Sequence, residues 1–221
     1  VPVCAADAQA VESALSKERL STYVRTLKTS NTRHALSLYA WNAKISGAFM
    51  LPQQICEVAV RNAASEVLGQ VYGPQWPWSI SFERSLPDPH SGFSMRKEME
   101  SARSKARSRN AGAVIPELKF AFWGKLFTHR FDDRLWLPHL LTSFPGLPAG
   151  RSPAHCRQMI FDALEGVRKI RNRIAHHEPI FARSLVADLE RMMNLVSWRC
   201  PRTAAWLSKI EGVSALLSQR P

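Results

Sequence analysis

Apolar residues recur at three- and four-residue intervals along most of the chain, the period of helices that bury one face. Val11, Leu15, Leu20, Val24 and Leu27 mark a helix over 7–28, closed by a turn at Thr29-Ser30-Asn31. Leu36, Tyr39, Ala40, Ala43 and Ile45 mark a second over 33–50. Pro52 suits the first turn of a third, which runs to about Tyr72 and stops at Gly73-Pro74. Over 73–91 the pattern fails. Pro74, Pro77, Pro87 and Pro89 stand among Trp76, Trp78 and Phe82, so an irregular insertion packed by aromatics is expected, with room for a short extended piece. Helical patterning resumes over 92–110, over 116–128 behind Pro116, and over 131–142, where Pro138 interrupts it. Phe144-Pro145-Gly146-Leu147-Pro148 reads as a turn. A long helix follows over 153–176, another from Pro179 to about 198, and a last from Pro201 to about 218. No repeat, low-complexity tract or linker divides the chain. The pattern predicts one all-α domain over 1–221, with its core at about 20–198 and eight or nine helices.

Composition adds a partner class. The 221 residues are 45% hydrophobic and carry 7 Trp and 10 Phe, enough for a sizeable core. The formal net charge is +12, and 21 of the 30 basic residues are Arg. Arg grips phosphate bidentately and stacks on bases, so a polyanion, first of all RNA, is the expected partner. An Arg-rich proteome is the bland alternative for the Arg bias. Cys4, Cys56, Cys156 and Cys200 lie far apart without a C-x-x-C, which suggests reduced thiols in a cytoplasmic protein rather than a zinc site or a disulfide framework. No run approaches 18 apolar residues, so no membrane span is expected. Val1-Pro2-Val3-Cys4 has neither Met nor an apolar signal core, and a trimmed chain is expected.

The chemistry concentrates in Arg171-Asn172-Arg173-Ile174-Ala175-His176-His177-Glu178-Pro179. An Arg followed five residues on by a His means little alone, since roughly 0.7 such matches arise by chance in this composition. A second match, Arg134 to His139, spans Pro138 and is set aside. The context of the first gives it weight. With Val167 at the centre of the apolar face, Ile160, Leu164 and Ile174 fall within about 60° of it, and Arg171 at about 40°. A charge on an apolar stripe is costly unless it is paired or opens onto a cleft. Arg168, Asn172 and His176 form a second stripe, four apart. Asn172 can fix the His176 tautomer from one turn below. A straight helix leaves Arg171 and His176 about 140° apart. Loss of helical geometry before Pro179 is expected to swing His176 round toward Arg171.

Arg-Asn-x-x-x-His ending a helix in an all-α chain resembles the HEPN superfamily. The chain is also similar to its Abi-like (abortive infection, Abi_2) branch in Leu38-Tyr39-Ala40-Trp41-Asn42, Glu57-Val58-Ala59-Val60-Arg61-Asn62, Phe120-Ala121-Phe122-Trp123-Gly124-Lys125-Leu126-Phe127, Leu135-Trp136 and Ile170 to Ile180. These pieces occur in family order over about 20–195. The resemblance implies a toxin-like or phage-defence endoribonuclease, active as a homodimer in which each subunit brings one Arg/His pair to a shared cleft. It implies Arg171, Asn172 and His176 as the site, with no cofactor and no metal. An antitoxin or a regulatory noncoding RNA is a further expected partner. His176 serves as general base or acid and Arg171 stabilises the charge on phosphorus.

The remaining candidates each have a plainer alternative. His177 is either a supporting site residue or a helix C-cap. Glu57 and Arg61, four apart and both supporting candidates, either pair on a helix surface, or Glu57 or Asn62 approaches the motif helix and orients Arg171. Arg168 and Arg173 are read as solvated or phosphate-touching. Arg96, Lys97, Arg103, Lys105, Arg107 and Arg109 make either an RNA-tracking surface or a solvated face. Most Trp residues are expected in the core. A metal hydrolase built on His176, His177 and Glu178 is disfavoured, because adjacent helical residues diverge and no third ligand is apparent. A non-catalytic RNA-binding or dimerisation module is the alternative to the enzyme.

Overall fold

Capping residues break the chain into more helices than apolar periodicity alone suggests. The computed structural model describes residues 4–221, so the amino-terminal Val1 to Val3 lie outside the described residues. The predicted helix over 7–28 is two, α1 (Ala5–Leu15) and α2 (Lys17–Leu27). Ser16 separates them at φ 72°, and its hydroxyl accepts the Arg19 N–H to start the second. A side-chain cap of this kind competes with helix continuation. Asn31 caps α3 in the same way.

The predicted second and third helices are instead one, α3 (Thr32–Tyr72), 41 residues long with Pro52 in its interior. Proline there removes one backbone hydrogen bond, at a cost of about 3 kcal/mol. Burial on both sides offsets it: Ile45, Phe49, Cys56 and Val60 are fully buried. Pro52 therefore sits within a spine that the core holds straight through.

The Pro/Trp-rich insertion holds a 3-10 turn (Trp76–Trp78) and α4 (Ile80–Ser85), with no extended strand among the described residues. The charged helix is shorter than expected, α5 (Met95–Lys105). Next come α6 (Ala111–Val114), a 3-10 turn containing Pro116, and α7 (Phe120–Leu126). Pro138 does not interrupt the following segment. A π-helical turn (Asp132–Trp136) runs into α8 (Leu137–Ser143), whose first turn takes the proline. Buried Arg157 pins that turn by a bidentate pair with Asp132, at 2.9 and 3.2 Å.

The motif helix is α9 (Pro153–Ala175), close to its expected span. The next helix does not start at Pro179 but at Leu185, as α10 (Leu185–Arg199), because residues 177–184 are held in an irregular loop. The last predicted helix is again two, α11 (Pro201–Ile210) and α12 (Val213–Leu217). Glu211 caps the second through the N–H groups of Val213 and Ser214.

The described residues form an all-α fold in which α3 packs against α2, α7, α8, α9, α10 and α12. Trp41, Trp76, Trp123 and Trp136 are buried, Trp78 and Trp198 are half-buried, and Trp206 is exposed. Trp136 stacks on Phe127 with centroids 4.2 Å apart. Among the described residues no helix is long and apolar enough to cross a membrane.

Candidate active site

Local sequence explains where α9 begins and ends. The Ser152 hydroxyl accepts the His155 N–H, and Pro153 occupies the first turn. Cys156, Ile160, Leu164, Val167 and Ile170 then form the buried face. At the far end the His177 N–H donates to the Ile174 carbonyl and the Glu178 N–H to the Arg173 carbonyl, at 3.0 and 2.8 Å. That pair of bonds is a Schellman ending. It places His177 in the left-handed region at φ 55°, where glycine is usual.

Three side chains hold the loop beyond the cap. Buried Asn42, on α3, accepts the N–H groups of Ile180 and Phe181 through Oδ1, at 2.8 and 3.2 Å. Arg19, on α2, donates to the His177 carbonyl. Arg173 donates to the Pro179 carbonyl at 3.1 Å and lies 3.6 Å from the Glu178 carboxylate. A cleft of about 410 Å³ opens beside this loop, lined by Arg19, Tyr39, Asn42, Met50, Ile174 and His177 among others. Sequence reasoning gave no role to Arg19 or Asn42. Asn42 does leave a signal, as an amide on the buried face that carries Leu38, Trp41, Ile45 and Phe49.

His176 is the C-cap of α9: its N–H still donates to the Asn172 carbonyl at 3.0 Å, while its own backbone, at φ −91° and ψ 9°, has left the helical range. The departure lies at ψ, beyond the His176 Cα, too late for the expected swing. Within one chain Arg171 and His176 therefore keep the angular separation of a straight helix, about 140°. The His176 side chain is exposed, and among the described residues it forms no hydrogen bond with the Asn172 amide.

Arg171 is 43% exposed and its Nε lies 3.9 Å from Oε1 of Glu57, itself 24% exposed. Gln53, one turn earlier on α3, donates to the same oxygen at 3.1 Å. Burial pushes the Glu57 carboxyl up from the ordinary carboxylate range, against the opposing pull of Arg171, the Gln53 hydrogen bond and Arg61. Arg61 faces Glu57 from the next turn, with its Nε buried and without an acceptor among the described residues. The structure thus brings Glu57 to Arg171, with Arg61 acting on Glu57 from its own helix. Asn62 does not join them. It opens onto a separate cleft against Arg199 and Cys200.

The other basic candidates divide. Arg168 makes a bidentate pair with Glu165, and Arg103 is tied to Glu83 at 2.6 Å and to the Pro77 carbonyl. Arg96 is half-buried, with Nη2 3.5 Å from the Leu86 carbonyl. Lys97 and Arg107 are exposed, Arg107 beyond the end of α5. Arg109 lies over the Trp78 ring.

No family model, curated protein or solved structure matches this chain. The chemistry therefore rests on the side chains themselves. Among the described residues no group of three or more His, Cys, Asp and Glu is placed to hold a metal ion. What the end of α9 offers is a guanidinium set beside a carboxylate, and an imidazole open to solvent at the helix terminus. These are groups for binding a phosphodiester and moving protons around it.

Proposed function

We propose that this chain is a metal-independent endoribonuclease of the HEPN type, a toxin or phage-defence enzyme acting in the cytoplasm as a homodimer. The observation that supports the reading is the Arg171–Glu57 pair, which keeps a partly exposed guanidinium in the last turns of α9 rather than lost in the core, on the helix that ends at the exposed His176. The guanidinium takes the phosphate and stabilises the charge that grows on it. The ribose 2′-OH attacks phosphorus, the 5′-oxygen leaves, and an imidazole moves one of the two protons. Because Arg171 and His176 diverge on one helix, a second copy that brings its His176 to this Arg171 completes the site. An antitoxin or a noncoding RNA that covers this end of α9 would control it.

The products distinguish this chemistry from others. An RNA oligonucleotide should be cut to 2′,3′-cyclic phosphate and 5′-OH ends, and the same sequence in 2′-deoxy form should survive. Cleavage of the deoxy form, or 5′-phosphate products, would contradict the reading. A second reading, a non-catalytic RNA-binding or dimerisation module, draws on the Arg171–Glu57 pair, which partly neutralises the guanidinium. It predicts RNA binding with no products of either kind.

A further inference from the structure

Glu57 is the carboxylate nearest to the Arg171 guanidinium among the described ion pairs, and its two oxygens are used unequally. Oε1 takes the Gln53 amide at 3.1 Å and faces Arg171 at 3.9 Å. Oε2 has no protein partner among the described residues, and the side chain keeps 24% of its surface. A surface ion pair made only for stability is worth little and does not call for an anchoring amide. Here Gln53 is itself buried, and its own Oε1 has no hydrogen-bond donor among the described residues. The Gln53 amide is the one hydrogen-bond donor to the Glu57 carboxylate among the described residues.

We propose that Glu57 is the general base of the RNA-cleavage reaction, leaving His176 as the general acid. The proposal rests on the ribonuclease reading and assigns the proton roles which that reading leaves open. A phosphate held on Arg171 sets its ribose within reach of the free Glu57 oxygen. Oε2 takes the proton of the 2′-OH as the O2′–P bond forms. The P–O5′ bond breaks, and the His176 imidazolium of a second copy gives its proton to O5′. One proton is taken and one given, so no water or other reactant enters the step. Arg171 on α9 and Arg61 on α3 are the charges facing Glu57, and both favour its ionised form. Burial outweighs them and raises the carboxyl above the ordinary carboxylate range, which strengthens it as a base.

The test is a single-turnover pH–rate profile on an RNA oligonucleotide, for wild type, Glu57→Gln and Glu57→Asp, beside binding of the uncleavable 2′-O-methyl oligonucleotide. Wild type should show an acid limb above the ordinary carboxylate range. Glu57→Gln should lose about 10²- to 10⁴-fold in rate and lose that limb, while unfolding at a similar temperature and binding the 2′-O-methyl strand within about threefold. Glu57→Asp, which keeps the carboxylate on a shorter stem, should recover part of the rate together with an acid limb. A Glu57→Gln enzyme within about tenfold of wild type, with the limb in place, would overturn the assignment and leave the ribonuclease reading standing. Equal losses of binding and rate would reduce Glu57 to a positioning residue for Arg171, and also overturn it. Absence of cleavage by wild type would remove both.

Discussion

His177 shows what the fold asks of a residue beside the candidate site. It occupies the left-handed position of a Schellman ending, a conformation that costs a side chain roughly 1–2 kcal/mol. Histidine is among the residues that tolerate it better than most. Glycine at this position should raise the free energy of unfolding by about 0.5–1 kcal/mol, since its freer unfolded chain takes back part of the relief. Chemical denaturation of His177→Gly checks this, and a loss of stability would mean that the imidazole makes contacts worth more than the strain. If His177 is a cap alone, the same variant keeps its RNA-cleaving rate. Arg168 and Arg103 are neither simply solvated nor free for a phosphate, because both guanidinium groups are spent on neighbouring carboxylates. Arg171 differs. Its partner is half-buried, long-range in sequence and anchored by an amide.

At the scale of elements, the site depends on α3 and α9 meeting the loop that follows α9. Asn42 makes that junction, and Ile180 and Phe181 are both buried. Replacing Asn42 by Ala leaves two buried N–H groups without an acceptor, each costing about 1–3 kcal/mol. A destabilisation of about 2–4 kcal/mol is expected for Asn42→Ala in urea unfolding, and a change near zero would show that the loop is held by other means. The limits of α9 were legible because their signals are local: Ser152-Pro153 at one end and the run before Pro179 at the other. The start of α10 was not legible. The loop from 177 to 184 is fixed by Asn42 and Arg19, which lie 138 and 158 residues away from their partners in sequence. Pro52 misled for the same kind of reason. Propensity placed it at a helix start, and only the tertiary burial of Phe49, Cys56 and Val60 explains a helix that runs through it. The opposite error joined α1 to α2 and α11 to α12, where Ser16 and Glu211 turn their side chains onto backbone N–H groups.

Over the whole molecule, the count of 30 basic residues overstates what is free to meet a polyanion. Arg157, Arg183, Arg191 and Arg199 join Arg103 and Arg168 in internal ion pairs, and buried Asp188 alone holds Arg183 and Arg191. Part of the Arg content that pointed to RNA is therefore spent on carboxylates within and between elements. Exposed Lys97 and Arg107 remain for a polyanion, as does the partly exposed Arg171 near the end of α9. There Arg171 and His176 point to different sides of one helix, and the proposed activity needs a partner copy to unite them. The all-α class and the amphipathic α9 could be read from periodicity. The direction in which each site residue points could not, because it depends on whether the helix ends before or after His176. The most direct test is cleavage of total RNA in excess EDTA by wild type, Arg171→Ala and His176→Ala, with folding of each verified by thermal unfolding. Cleavage by wild type alone is the predicted result. Undiminished cleavage by either folded variant, or a wild-type activity that EDTA abolishes, would contradict a metal-independent ribonuclease built on Arg171 and His176.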